Sequence, residues 1–331
     1  MDTRQLGKTG PTVSALGLGA MGMSALYGPS DRDESIATID AALDGGVTLI
    51  DTGDFYGMGH NELLIADALR RRRREDVVLS VKFGAQRGPD GAWIGFDARP
   101  GAVKTALAYT MQRLGTEYVD IYRPARLDPR VPIEDTVGAI AELVEAGWVR
   151  HVGLSEVGAD TIRRADAVHP VSDLQIEYSL ASRGIEREIL PVCRELGIGV
   201  TAYAVLSRGL LSGHWSADRE IVAGDFRGHS PRFQGDNLRC NLALVETLRG
   251  VADDLGASVA QVAIAWVAAQ GDDIVPLIGS RRRDQLAEAL GSAAVRLGAA
   301  ELARIEAAVP TDAVAGDRYA AEQMAMLDSE R

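Results

Sequence analysis

The sequence predicts an α/β protein, a single closed (β/α)8 barrel, and three observations predict it. Short runs rich in β-branched residues alternate with longer stretches of helical period. Eight such runs occur in the 331 residues, most of them followed by a helix. The runs are near-continuously apolar, which is how strands buried on both faces read. Length alone allows one large α/β domain or two smaller ones. No composition break or linker divides the chain, so residues 1–331 read as one domain. Even βα alternation over about 250 residues favours the closed barrel.

In chain order the strands are expected at "VSALGLG" (13–19), "VTLID" (47–51), "VVLSVK" (77–82), "YVDIY" (118–122), "RHVGLS" (150–155), "DLQIE" (173–177), "GVTAY" (199–203) and "DIVPLIG" (273–279). Between the first two, "DESIATIDAALDGG" puts Ile36, Ile39 and Leu43 on one helical face and stops at Gly45 and Gly46. "EDTVGAIAELVEAGW" repeats the scheme with Val137, Ile140 and Leu143 inward. The long irregular segment 207–237 reads as a lid or binding loop, with a disordered insertion as its alternative. Residues 310–331 form a tail.

Net charge is -12, which argues against general affinity for nucleic acid or an anionic membrane. The two cysteines, Cys193 and Cys240, fit a reduced, cytoplasmic protein without a disulfide framework. The start, "MDTRQLGKTG", holds no apolar stretch of signal-peptide length, and nowhere do about 18 apolar residues run uninterrupted. No metal site is assigned. A homo-oligomer is compatible with the sequence. Lysine occurs only at 8, 82 and 104, so its use at a strand end suggests chemistry.

In such barrels chemistry sits at the carboxyl ends of the strands. Those ends carry Gly19, Asp51, Lys82, Arg123, Ser155, Gln175 with Glu177, Tyr203, and Gly279 with Ser280. Asp51, Tyr56 and Lys82 come from neighbouring strands and can meet. A phenol titrates near ~10, and a nearby ammonium favours the phenolate. Tyr56 is then a proton donor, Lys82 the charge that acidifies it, and Asp51 the partner that holds Lys82. The alternative is a structural salt bridge beside a tyrosine in a turn. A tyrosine that protonates an oxygen suits hydride delivery to a carbonyl carbon, which calls for a nicotinamide site. "GLGAMG" (17–22) matches G-x-G-x-x-G, but Gly28 and Pro29 break the helix that should follow, so a Rossmann site is rejected. "IGSRRRDQLAEAL" (278–290) fits a phosphate better: a strand ends in Gly-Ser, arginines follow and a helix begins. Arg281, Arg282 and Arg283 together would favour the 2′-phosphate of NADPH over NADH.

The motifs "LGLGAMGMS", "GVTLIDTGDFYGMGHNELL", "VVLSVKFG", "RLGTEYVDIYRPARLDP", "VRHVGLSEV", "LQIEYSL", "TAYAVLSRGLLSG" and "VPLIGSRRRDQLAEAL" together are highly specific. On them the chain resembles the aldo-keto reductases over nearly its whole length. The similarity is to the broad branch of potassium-channel β-subunits, perakine-type reductases and many bacterial reductases. The resemblance implies a TIM barrel opened by an N-terminal hairpin, for which "MDTRQLGKTGPTVSAL" is available. It implies NADPH lying extended across the rim and reduction of aldehydes or ketones by an Asp, Tyr, Lys and His tetrad. Asp51, Tyr56 and Lys82 match three members. Gly19, Met21 and Asp51 join the cofactor site on the same grounds. Ser155 and Gln175 would hold the nicotinamide carboxamide, and Tyr203 would stack on the ring. Leu206, Arg208, Leu210 and Gly213 would line the pyrophosphate, and Gly279, Ser280, Arg281, Arg282 and Gln285 the adenosine phosphate.

Two positions depart from the pattern. Where the family often writes tyrosine, glutamine, histidine, arginine, this chain has "RPAR", so Ala125 stands in the histidine's place. Ala289 replaces a usual asparagine near the adenosine. An imidazole at 125 would point the substrate oxygen at the tyrosine; losing such a donor typically costs about 3 kcal/mol of transition-state stabilisation. Alanine also leaves volume and a more apolar pocket. The expectation is an NADPH-dependent carbonyl reductase with an atypical tetrad. It would either turn over slowly, or take a bulkier substrate oriented by its own hydrogen bond or one from Arg123, Arg126 or His60. The alternative is an NADPH-binding sensor with little or no turnover. Trp93, Phe96, Trp215, Phe226 and Phe233 are candidates for the substrate pocket's walls.

Overall fold

The computed structural model describes residues 1–24 and 26–331. Its strands are β1 (Thr3–Gln5), β2 (Thr12–Ser14), β3 (Gly17–Gly19), β4 (Leu49–Gly53), β5 (Val78–Phe83), β6 (Ala85–Arg87), β7 (Trp93–Phe96), β8 (Val119–Pro124), β9 (Val149–Ser155), β10 (Val171–Glu177), β11 (Gly199–Tyr203) and β12 (Ile274–Gly279). Eight of them, in the order β10-β11-β12-β3-β4-β5-β8-β9, close into the expected barrel. Its neighbouring strands are parallel throughout.

The expected first strand, 13–19, is two elements. Residues 12–14 pair antiparallel with 3–5 as a hairpin, and only 17–19 enter the barrel. The hairpin plugs the amino end, where its Leu6 and Val13 pack with Leu49, Ile121, Val275 and Leu277 inside the barrel. β3 is thin at this level for a reason: a Cβ on Gly17 would lie 2.6 Å from Leu277 Cδ2 and 2.9 Å from Leu49 Cδ2. A second hairpin, β6–β7, was not expected and follows β5 directly.

The helices start where local chemistry dictates. Asp31 caps Arg32–Asp44 by accepting from the Glu34 N–H, Pro100 opens Pro100–Leu114, and a Ser258/Gln261 capping box opens Val259–Ala268. Val137, Ile140 and Leu143 are buried as expected. In Arg32–Asp44 the innermost residues are Ser35, Thr38, Ile39 and Ala42, with Ile36 and Leu43 flanking them. The 207–237 segment is packed rather than disordered. Short 3-10 turns cover Ser207–Ser212, Phe226–His229 and Pro231–Phe233, and the helix Gly235–Asp254 begins within its last residues. Leu210, Trp215, Phe233 and Leu238 form a buried cluster beneath it. Both cysteines are free, Cys193 buried and Cys240 exposed. Among the described residues no single helix is long and apolar enough to cross a membrane.

Candidate active site

Strand register sets the polar rim. Gly19 aligns with Gly279 on one side and Asp51 on the other, Asp51 with Ser80, Gly53 with Lys82, and Gln175 with Ser155 and Thr201. Asp51 and Lys82 therefore face each other, both buried, with Oδ1 to Nζ at 2.5 Å. Lys82 also donates to Thr52 O at 2.9 Å. Ser80 and Gln175 donate to the other Asp51 oxygen at 2.8 and 2.7 Å. Tyr56 hangs from the loop after β4, with Lys82 Nζ 4.9 Å from its ring centroid. Asn61 ties that loop down: it accepts from the Thr52 hydroxyl and donates to Ala20 O and Ser24 Oγ.

The electrostatics correct one expectation. The Tyr56 phenol is not acidified in this state. Burial and then the Asp51 carboxylate push it well above its ordinary value, and the cation acting against them is Arg126. Lys82 fails to do so because Asp51 neutralises it as seen from the phenol. Burial pulls Lys82 itself down to about 8 despite Asp51. Tyr56 thus keeps its proton at neutral pH, and no described residue occupies its hydroxyl.

A cleft of about 410 Å³ runs from this group across the rim. At the catalytic end Gly19, Met21, Asp51, Tyr56, Lys82, Gln175 and Tyr203 line it; Leu206, Arg208, Gly279, Ser280, Arg281 and Gln285 line its continuation. Four expected cofactor residues are absent from the wall. Leu210 is buried in the hydrophobic cluster under the segment. Gly213 abuts Val259 and its carbonyl accepts from Arg249. Arg282 turns to Asp284 at 2.9 Å on the surface. Ser155 lies behind the wall, and its buried hydroxyl has no protein partner. Arg123, offered as a substitute for the histidine, is inside the barrel with no exposure, bonded to Asp173, Ser80 and Thr201. His60 is exposed, its Nδ1 3.1 Å from Ser24 Oγ. Of the three candidates only Arg126 lines the cleft. Ala125 is 3% exposed and not part of the wall, so its truncation has not opened the pocket.

A profile of the aldo/keto reductase family matches residues 15–310. The chain belongs to that family. Among its relatives, a Glycine max protein named "Probable aldo-keto reductase 1" is 42% identical over 318 residues, covering 95% of this chain and 91% of that one. The Schizosaccharomyces pombe "Aldo-keto reductase yakc [NADP(+)]" is 39% identical over 321 residues, covering 96% and 94%. Among solved structures, the glycerol dehydrogenase AKR11B4 from Gluconobacter oxydans superposes with a TM-score of 0.85 at 28% identity, covering 93% of this chain and 94% of that one.

For an aldo/keto reductase the site has unheralded members. Tyr27, Phe55 and Tyr319 join Trp215 and Phe226 on the cleft wall, whereas Trp93 and Phe96 meet edge to face in the second hairpin. Tyr319 comes from the tail, and its hydroxyl is 2.9 Å from that of Tyr203. The tail is clamped by Arg318, which donates to both Glu156 oxygens, and by Ser329 on the same carboxylate. Burial alone would raise the Glu156 carboxyl; Arg318 overrides it and holds the group well below the usual range. Far along the cleft stand Arg219 and Arg227 from the 207–237 segment, beside Arg281. Burial and then the charges of Arg227 and Arg282 pull the Arg281 guanidinium down, a sign of uncompensated cations. Arg281 meanwhile donates to Tyr27 O at 2.9 Å and Pro29 O at 3.1 Å.

Proposed function

We propose that this aldo/keto reductase is an NADPH-dependent carbonyl reductase in which Tyr56 protonates the nascent alkoxide. One observation carries the reading: a free phenol on the cleft wall, directly above a buried Asp51–Lys82 pair. The residues present suit the cofactor. The Ser155 hydroxyl is a buried donor without a partner. A Cβ on Gly279 would meet nothing within 4 Å, so this stretch of strand end is open to a ligand. Arg219 and Arg281 add cations fit for phosphate. Bound NADPH supplies the hydride. Ser155 and Gln175 orient the carboxamide and Tyr203 flanks the ring. Tyr56 holds its proton until the carbonyl oxygen gains charge, then gives it up; the Arg126 charge limits the cost of the tyrosinate.

NADPH oxidation with a panel of aldehydes and ketones tests this. Tyr56→Phe is expected to lose about 100-fold or more in kcat; equal rates in both proteins remove Tyr56 from the chemistry. Ala125 supports a second reading, tight NADPH binding without turnover, since no imidazole faces the substrate. Rapid mixing of the NADPH complex with the panel separates the two, because one round of hydride transfer bleaches the cofactor absorbance.

A further inference from the structure

The missing imidazole leaves open which group meets the substrate oxygen opposite Tyr56. Arg126 is placed for it. Its guanidinium folds back over position 125, with Nη1 2.6 Å from Ala125 O and Nη2 3.3 Å from the Tyr319 hydroxyl. Tyr319 is itself held by Tyr203 and by the clamped tail. Other buried arginines near the site already have carboxylates: Arg123 with Asp173 at 2.5 Å, Arg208 with Glu177 at 3.1 Å, Arg318 with Glu156 at 2.6 Å. Among the described residues Arg126 has no carboxylate within 4.0 Å. Burial works against its charge, but Tyr203, Tyr319 and Glu156 outweigh burial and hold the guanidinium above its ordinary value, so it stays a cation. Five N–H donors sit on a guanidinium and two are used here, so a planar fork remains for a ligand in the cleft.

Resting on the carbonyl-reductase reading, we propose that Arg126 binds and orients the substrate, and that the substrates it selects are 2-oxo acids. Its parallel N–H groups meet one carboxylate oxygen and the adjacent carbonyl oxygen together, a geometry suited to the guanidinium plane. The hydride adds to the carbonyl carbon, the C=O π pair moves to the oxygen, and Tyr56 donates the proton. Arg126 keeps all of its protons and faces the growing negative charge. Ala125 then needs no imidazole, because the same oxygen already has a stronger, charged donor.

The test compares phenylglyoxylate with its uncharged methyl ester, in the wild type, Arg126→Gln and Arg126→Lys. Wild type is expected to favour the acid by at least about tenfold in kcat/KM. Arg126→Gln should cost the acid about 100-fold and the ester much less, erasing the preference. Arg126→Lys, which keeps the charge and loses the fork, should fall between them; it also carries the test should Arg126→Gln fail to fold. Calorimetric binding of benzoate to the NADP+-saturated protein should weaken in parallel, a readout independent of turnover. Equal losses for acid and ester, or a wild type that reduces other aldehydes but prefers the ester, overturn the proposal and leave the reductase reading intact. A wild type that bleaches no NADPH with any carbonyl overturns the reading and the proposal together.

Discussion

The two ends of the cleft handle charge in opposite ways. At the catalytic end the ions are matched before any ligand arrives: Lys82 with Asp51 and Arg318 with Glu156. At the far end Arg281 and Arg219 have no carboxylate partner among the described residues, and neighbouring cations pull both guanidiniums down after burial has done so. The difference separates two tasks. Groups that act on a reacting atom must be fixed in place beforehand, and mutual pairing fixes them. Groups that hold a phosphate can stay unbalanced, because the ligand brings the missing charge. Arg126 is the exception at the catalytic end: it has no carboxylate within 4.0 Å, yet unlike Arg219 and Arg281 its surroundings raise its pKa above the ordinary value.

Lys82→Met should break this comparison most sharply. It strands the buried Asp51 carboxylate, so a loss of roughly 3–5 kcal/mol in urea unfolding is expected along with loss of turnover. With Lys82 pulled down to about 8, the wild-type rate should also decline as pH rises through that value. At the other end, Arg219→Ala with Arg281→Ala should cost about 1 kcal/mol or less in stability. NADPH affinity should nonetheless fall by about 100-fold, NADH affinity far less, and the salt dependence of NADPH binding should flatten. Arg282→Ala, which removes only a surface pair, should change neither nucleotide appreciably. A stability loss in the double variant as large as in Lys82→Met would erase the distinction between the ends.

A pH-dependent effect lies at the start of the catalytic loop. Burial, then the neighbouring Glu62 carboxylate, pushes the Asp54 carboxyl up to about 7, and Asp54 Oδ1 and Glu62 Oε1 both lack partners. The folded protein therefore binds more protons than the unfolded chain between about pH 4 and 7. This group's contribution is complete at low pH and is lost as pH rises through that window. Asp54→Asn should leave stability unchanged near pH 4 and raise it by on the order of 1–2 kcal/mol at pH 8, read by denaturant titration at both values.

Much of the barrel was legible because its strands are apolar runs and its rim residues end them. Asp51 and Lys82 lie 31 residues apart on adjacent strands and Tyr56 in the loop between them, so spacing could bring them together. Arg123 was misread although alternation held the answer. Ile121 packs inside the barrel, so the residue two positions on points inward too, away from any substrate. Arg126 and Tyr319 meet across 193 residues, and Tyr319 sits in a tail with no periodicity to place it. Arg219 and Arg227 come from an irregular segment, where neither the helical nor the strand period says which way a side chain faces. The 13–19 run hid a break because hairpin and barrel both want the same apolar residues there.

The clamp on Glu156 has a consequence for synthesis. Its partners Arg318 and Ser329 lie among the last fourteen residues, as does Tyr319. While a ribosome still holds that stretch, the barrel can close but a carboxylate at its mouth stays unanswered and one wall is absent. Competence therefore waits until residues 318 to 329 have emerged and docked, and a chain cut before Arg318 would close its barrel without a finished pocket.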